Sequence, residues 1–447
     1  LKPFWHKHFY SPAGAPQRFS SMSCWRLCML ACAVALVSIP SSALHNTAVR
    51  YNARRMLPVS DPVVQQPLVY VYEEPEFHFR EDLDACDTGG DKEMITGGYT
   101  AVADAWWDLL KSSPRKTDNP NEAKWFFIPF NLERSWTIDK CNGKTHTDRL
   151  NILIERLASS SHFQRSDGSN HIWPIAFWMF APWFGGKSYF PLPHRHILRN
   201  MVIGHYLDYH LKLPGTSDIG VKKANNNIGF AVSREQTKDI WWVEGEDWRC
   251  TVTHPVLTMK SLSAIKDTSF SSWQRRPNLI YFRGHGSKKC RLDAQELHDK
   301  AMELKTLKKS SFFVHMNHAA SVSKYKEELE QSKFCLVLRC DDPQTSRFWD
   351  AVAAGCIPVH VNDGFELAVA PFKEVLNYNA FNVNIPEAMW LRDPVSALHF
   401  AYSYPDRRLE RMHASLIEAQ PKLLWRLEEG RKSQVAEMLL DSIDRDC

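Results

Sequence analysis

At 447 residues the chain exceeds the size at which one hydrophobic core stops growing, so two similar domains are expected rather than one. Its composition, 44% hydrophobic and 24% charged, is that of a globular protein. Basic and acidic residues number 55 and 51, and no basic run carries interleaved aromatics, so nucleic acid has no support as a partner.

The first residues, 1–26, form a basic tail with Lys2, Lys7, Arg18 and Arg26 and no acidic residue. Leu27 to Ile39 is then free of charge, and with Pro40 to Leu44 it reaches the lower end of the roughly 17–25 residues that span a bilayer. Residues 27–44 therefore read as a signal anchor or a cleaved signal peptide, Ser41 and Ala43 fitting the small-residue cleavage pattern. Arg50, Arg54 and Arg55 follow closely, so charge asymmetry hardly orients the segment. Residues 45–66, with Pro58 and Pro62 and no periodicity, read as a stem.

From residue 67 the pattern alternates. Leu68 to Tyr72 and Trp125 to Phe130 are strand-like, Thr100 to Leu110 and Arg149 to Ala158 helix-like, which predicts an α/β domain over 67–266. Gly185 to Gly215 is either an acceptor-side loop or a surface insertion. A second α/β domain, 267–404, is built around Ser332 to Phe372. There Phe334 to Leu338 is an unbroken apolar run that suits a strand buried on both faces. Thr345 and Ser346 can cap a helix through Phe348, Trp349, Val352 and Ala353, Gly355 stops it, and Cys356 to Val361 is the next strand. Phe381 to Ile385 is a last strand. In residues 405–447, Leu409 to Ile443 is helical with a pause at Pro421, either returning across the domain junction or serving a partner.

The chemistry of this unit is anion binding. A helix start at Thr345 offers free backbone N–H groups, and Arg339 and Arg347 can fork onto a diphosphate. The plainer alternative is that Arg347 simply pairs with Asp350 three residues on.

Of eleven cysteines, Cys86 and Cys141 lie in polar, turn-rich contexts and can pair, whereas Cys335 and Cys356 read as buried thiols. The histidines lack ligand spacing, no paired C-x-x-C occurs, and no N-x-S/T sequon is present. The sixteen tryptophans read as core residues before sugar platforms.

The string S-K-F-C-L, then R-x-D-x-P-x-T-S-R, then D-A-V-A-A-G-C-I-P-V resembles the signature of the exostosin family of glycosyltransferases, which includes heparan sulfate polymerases and plant cell-wall transferases. The similarity continues upstream in Leu279 to Gly284 with Arg291, in Tyr325, Leu329 and Ser332, in Asp118 to Pro129, in Arg165 to His171 and in Val69 to Tyr72. It departs from the family at Leu338, Cys340 and Asn170, which puts activity in question.

The resemblance implies an α/β GT-B architecture, two Rossmann-like domains facing a cleft, behind an N-terminal membrane segment and stem. It implies inverting transfer from a UDP-sugar to a glycan or cell-wall polysaccharide, in a type II Golgi membrane protein that can form homo- or hetero-oligomers with another glycosyltransferase. The nucleotide site would use Arg283, Gly284, Arg291, Arg339, Thr345, Ser346 and Arg347, with Glu366 on the ribose. His171 is the candidate base or acceptor-binding group, with Glu244, Glu246 and Asp247 as the acidic alternative; a loop-fixing role is the plainer reading of His171. No obligatory cofactor or metal is expected, the adjacent Asp341 and Asp342 being a weak match to a metal-binding pair. Two other readings stay open: a non-catalytic exostosin-like subunit that binds glycan or stabilises a partner, and a secreted carbohydrate-binding protein.

Overall fold

The computed structural model describes residues 66–87, 101–175, 197–198, 200–205, 250–258, 264–284, 292–306, 311–315, 321–339, 345–363, 365 and 370–447. They belong to one compact unit, Gln65–Cys447; the unit Leu1–Val64, with the basic tail and the apolar segment, lies outside them. Among the described residues no helix is long and apolar enough to cross a membrane.

Two sheets form, and every described strand pair in them is parallel. The first contains β1 (Val69–Val71), β2 (Lys116–Thr117), β3 (Trp125–Phe127), β4 (His171–Pro174), β5 (Val202–His205) and β6 (Cys250–Thr253), in the order β2-β1-β3-β4-β5-β6. The second contains β7 (Asn278–Arg283), β8 (Phe312–His315), β9 (Ser332–Leu338), β10 (Ile357–Val361) and β11 (Val383–Asn384), in the order β11-β10-β9-β7-β8. Parallel neighbours need crossovers, and helices supply them. In the first domain these are α1 (Arg80–Cys86), α2 (Val102–Leu110), α3 (Leu132–Ile138), α4 (His146–Ser159) and α5 (Ser161–Ser166). The second adds α6 (Leu292–Thr306), α7 (Val322–Glu330) and α8 (Ser346–Ala353), and α9 (Glu387–Arg392) follows its last strand.

Local sequence explains these elements. Helix α4 opens on a reciprocal capping box between Thr145 and Asp148 and buries Leu150, Leu153, Ile154 and Leu157, one stripe at helical spacing. The run Phe334 to Leu338 is buried throughout, as a strand with helices on both faces must be. On β5, a Cβ at Gly204 would lie 2.6 Å from the Trp106 ring, so only glycine lets α2 pack this closely on the sheet.

The last two helices are α10 (Asp406–Leu423) and α11 (Val435–Asp446). α11 packs against α2 and β6 of the first domain. The fully buried Arg115 donates to Asp441 and Asp444, Trp125 Nε1 donates to Asp444 at 2.7 Å, and Trp425 Nε1 donates to the Pro255 carbonyl at 2.8 Å. The end of the chain is thereby fastened to the first domain. Pro421 lies inside α10 rather than interrupting it: the helix runs on to Leu423, because a proline in the last turn costs one hydrogen bond near the end.

Three disulfides occur among the described residues: Cys86–Cys141, Cys250–Cys447 and Cys335–Cys356. The first is the pair its turn-rich context suggested. The last corrects the reading of Cys335 and Cys356 as thiols. β9 and β10 are neighbours, which brings the two Cα atoms to 5.8 Å, within bridging range. Peptide mapping without reductant should return all three bridges; alkylation of Cys335 and Cys356 in the denatured, unreduced chain would restore the thiol reading.

Candidate active site

Strand order places the site. From β7 the chain crosses to β8 on one side and then to β9 on the other, so the connections diverge at the carboxyl ends of β7 and β9 and leave a crevice there. Arg283 ends β7, Gly284 follows it, Arg339 follows β9, and Thr345 precedes α8, which opens the crossover from β9 to β10.

Arg347, in the first turn of α8, bridges this switch point. Its Nε donates to the Arg283 carbonyl at 3.0 Å and its Nη1 to Thr345 Oγ1 at 3.2 Å, while the guanidinium carbon lies 5.5 Å from the Phe282 ring centroid. Thr345 sits at the N-cap in extended conformation, and its hydroxyl receives Arg347 instead of capping the helix. Among the described residues no carboxylate pairs with Arg347, so the Asp350 pairing does not form; Asp350 instead accepts from Tyr325 at 3.1 Å. Gly284 is needed for space: a Cβ there would lie 2.8 Å from Phe282 Cζ and 3.1 Å from Arg347 Nη2. A positive group and the start of an eight-residue helix thus share the crevice.

Arg339, expected to fork with Arg347 onto a diphosphate, and Arg283, expected beside them, are each held by a carboxylate. Arg283 binds Glu328 of α7 through Nε and Nη2, both at 2.8 Å, and Tyr281 donates to the same carboxylate at 3.1 Å. Arg339 binds Glu387 of α9 at 2.6 and 2.8 Å. Glu387 and Asp363 then exchange backbone-to-side-chain hydrogen bonds at 3.1 and 3.2 Å, linking the ends of β10 and β11 to Arg339. Bidentate carboxylates neutralise both arginines, which form the walls of the crevice. His298 of α6 donates from Nε2 to the Arg339 carbonyl at 3.0 Å, its pKa pushed to about 4 by burial and by the Arg347 charge. Arg291, Cys340, Asp341, Asp342 and Glu366 lie outside the described residues, as do Glu244, Glu246 and Asp247.

His171 is not placed to act as a base. It opens β4 instead of sitting on a loop, so it stands at the amino edge of the sheet, away from the crevice end. It is fully buried. Its Nδ1 donates to Asn170 Oδ1 and its Nε2 accepts from the Tyr72 hydroxyl, both at 2.9 Å, with the ring stacked 5.0 Å from Phe126. Burial pushes its pKa to about 3, and the ring is a neutral brace.

Glu328, Glu387 and His298 were not legible as site residues. The only signal was Glu328 three residues after Tyr325, two polar groups on one face of a helix whose Leu329 is buried.

With this geometry in view, the comparisons with known proteins identify the class. The model of the exostosin GT47 domain matches residues 64–399, about three quarters of the chain, and the chain belongs to that glycosyltransferase family. Human exostosin-2 is 34% identical over 108 residues, 24% of this chain and 13% of the relative. Zebrafish (Danio rerio) exostosin-1b is 30% identical over 120 residues, 27% of this chain and 14% of the relative. The aligned stretch is therefore about one seventh of those relatives' length. Among solved structures, a pneumococcal O-GlcNAc transferase GtfA in complex with UDP and GlcNAc overlaps at a TM-score of 0.31 with 12% identity, over 69% of this chain and 60% of that one, a likeness too low to carry weight.

Buried histidines set an acid limit on this fold. His171 and His360 are pushed to about 3, and His254, His298 and His413 to about 4, first of all by burial. Unfolding returns each to its ordinary value near 6.5, so below that pH the unfolded chain gains protons that the folded chain refuses. Stability is fully present above pH 6.5 and falls as pH drops toward 4, by up to about 1.4 kcal/mol per pH unit for each histidine. Urea unfolding from pH 4.5 to 7 should show that His171→Gln removes one such increment of slope; an unchanged slope would mean the imidazole is not buried neutral.

Proposed function

We propose that the chain transfers a sugar from a UDP-sugar to a glycan or polysaccharide, with inversion at the anomeric carbon. The observation that carries the reading is Arg347 at the β7/β9 switch point, held through Nε and Nη1 with no carboxylate partner among the described residues. The leaving diphosphate gains negative charge as the glycosidic bond breaks. A fixed guanidinium and the first N–H groups of α8 offset that charge without reorganising. The same fixed charge is why the reading assigns no resident metal. Turnover lost in chelator and restored by manganese would overturn that assignment.

Three disulfides support folding in an oxidising compartment, which fits the proposed Golgi lumen and equally a secreted form. One observation favours a second reading, a non-catalytic glycan-binding subunit: two of the expected phosphate ligands, Arg283 and Arg339, are neutralised by Glu328 and Glu387. UDP binding separates the two. Arg347→Ala should weaken UDP about tenfold to a hundredfold by calorimetry, the range of a hydrogen bond to a charged group, with little change in melting temperature. Unchanged UDP affinity would remove Arg347 from the donor site, and a native chain that binds no UDP-sugar would leave the glycan-binding reading.

A further inference from the structure

The first sheet is wound like the second, β2-β1-β3-β4 against β8-β7-β9-β10, so it has a switch point of its own between β1 and β3. The helices that leave those strands, α1 and α3, pack on each other there, and the Cys86–Cys141 bridge holds the end of α1. Between them and the first turn of α2 lies a polar cluster. Arg134 Nη2 is 2.6 Å from Asp84 and 3.3 Å from Asp87, and Nη1 is 3.9 Å from Asp104. Asn131 Nδ2 donates to Asp104 Oδ2 at 2.8 Å, and its own Oδ1 caps α3 by accepting from the Arg134 N–H at 2.9 Å.

Two details point to a missing partner. The Asp87 and Arg134 side chains are only 8% and 7% exposed, yet Asp87 Oδ1 and Arg134 Nε are buried with no hydrogen-bond partner among the described residues. Buried polar atoms of a native protein are nearly always paired, by a ligand where protein groups do not serve. The Asp104 side chain is 19% exposed, and Oδ1 has no hydrogen-bond partner among the described residues. Its Oδ2 is thus oriented by Asn131.

We propose that this crevice holds the hydroxyl-bearing face of the acceptor sugar and that Asp104 is the general base of the transfer. The inference rests on the transferase reading and deepens it. The acceptor O–H gives its proton to Asp104 Oδ1 while its oxygen bonds to the anomeric carbon. The bond from that carbon to the diphosphate breaks with its electron pair staying on UDP. Asn131 fixes the carboxylate plane, with Arg134 Nη1 3.9 Å from it. Burial raises the proton affinity of Asp104 above that of an ordinary carboxylate, the direction a base requires.

The test uses the full chain and a panel of UDP-glucuronic acid, UDP-N-acetylglucosamine, UDP-galactose and UDP-xylose, with water as acceptor so that no glycan need be known. Asp104→Asn keeps the shape and the Asn131 contact. It should lower UDP-sugar hydrolysis about a hundredfold or more, leave UDP affinity within twofold, and abolish the acidic limb of the pH profile. Azide, a nucleophile already ionised, needs no base, so the variant should still transfer sugar to azide at close to the native rate. Hydrolysis within threefold of native overturns the assignment, as does azide transfer falling in step with hydrolysis, which would mark Asp104 as structural. A native chain that binds UDP yet hydrolyses none of the panel also removes the base. Failure to bind UDP at all defeats the donor reading instead.

Discussion

Parallel strands pair only if the chain crosses over between them, and wherever successive crossovers leave in opposite directions the sheet edge stays open. That constraint fixes the chemistry of this protein more than any single residue does. Both sheets are wound outward from their first strand in the same sense, so each opens at its carboxyl edge between its first and third strands. Side chains at those carboxyl ends, or in the first turns of the helices that open there, face the edge where ligands of such sheets sit. Side chains at the amino edge, such as His171, are left to the core.

Within the second edge, carboxylates decide what each arginine does. Arg283 and Arg339 are each gripped bidentately and tie β7 to α7 and β9 to α9. Their work is to hold the carboxyl ends at fixed spacing, and Glu387 with Asp363 extends that brace to β10. Arg347 is different. Its partners are a carbonyl and a hydroxyl, neutral acceptors that position the guanidinium, and among the described residues no carboxylate compensates its charge. A bound anion would find Arg347 already oriented by the last residue of β7, with the Phe282 ring beside it.

Much of the architecture could be read from the chain because it follows from local pattern. The apolar run Phe334 to Leu338, the helix through Phe348 and Val352 and the stop at Gly355 are all consequences of short-range periodicity, and the strands and helix stand where that periodicity put them. Side-chain destinations are not local. Glu328 reaches Arg283 across 45 positions and Glu387 reaches Arg339 across 48, separations that no spacing rule connects. His171 failed for a related reason: a polar motif beside a glycine reads as a loop, but Gly168 ends the turn early at a φ of +75° and the histidine becomes the first buried residue of a strand. Cys335 and Cys356 look like packing residues in either state, and only the adjacency of β9 and β10 makes them partners.

The two open edges carry opposite chemistry, and the difference matches the flow of charge in glycosyl transfer. At β7/β9 Arg347, with no carboxylate partner among the described residues, stands beside a helix start, suited to a leaving group that becomes more negative. At β1/β3 three carboxylates surround one arginine, and such a site favours groups that give up protons. Inverting substitution needs both at once: the base acts on the acceptor from the face of the anomeric carbon opposite the departing diphosphate. A single edge bearing both would let the carboxylates neutralise the arginine, as Glu328 and Glu387 already do for Arg283 and Arg339. On the proposed inverting reading, splitting the work between two sheets keeps the proton-accepting and anion-accepting groups from pairing with each other. The fastening of α11 to the first domain through Arg115 and Cys250–Cys447 keeps the two halves of the chain joined.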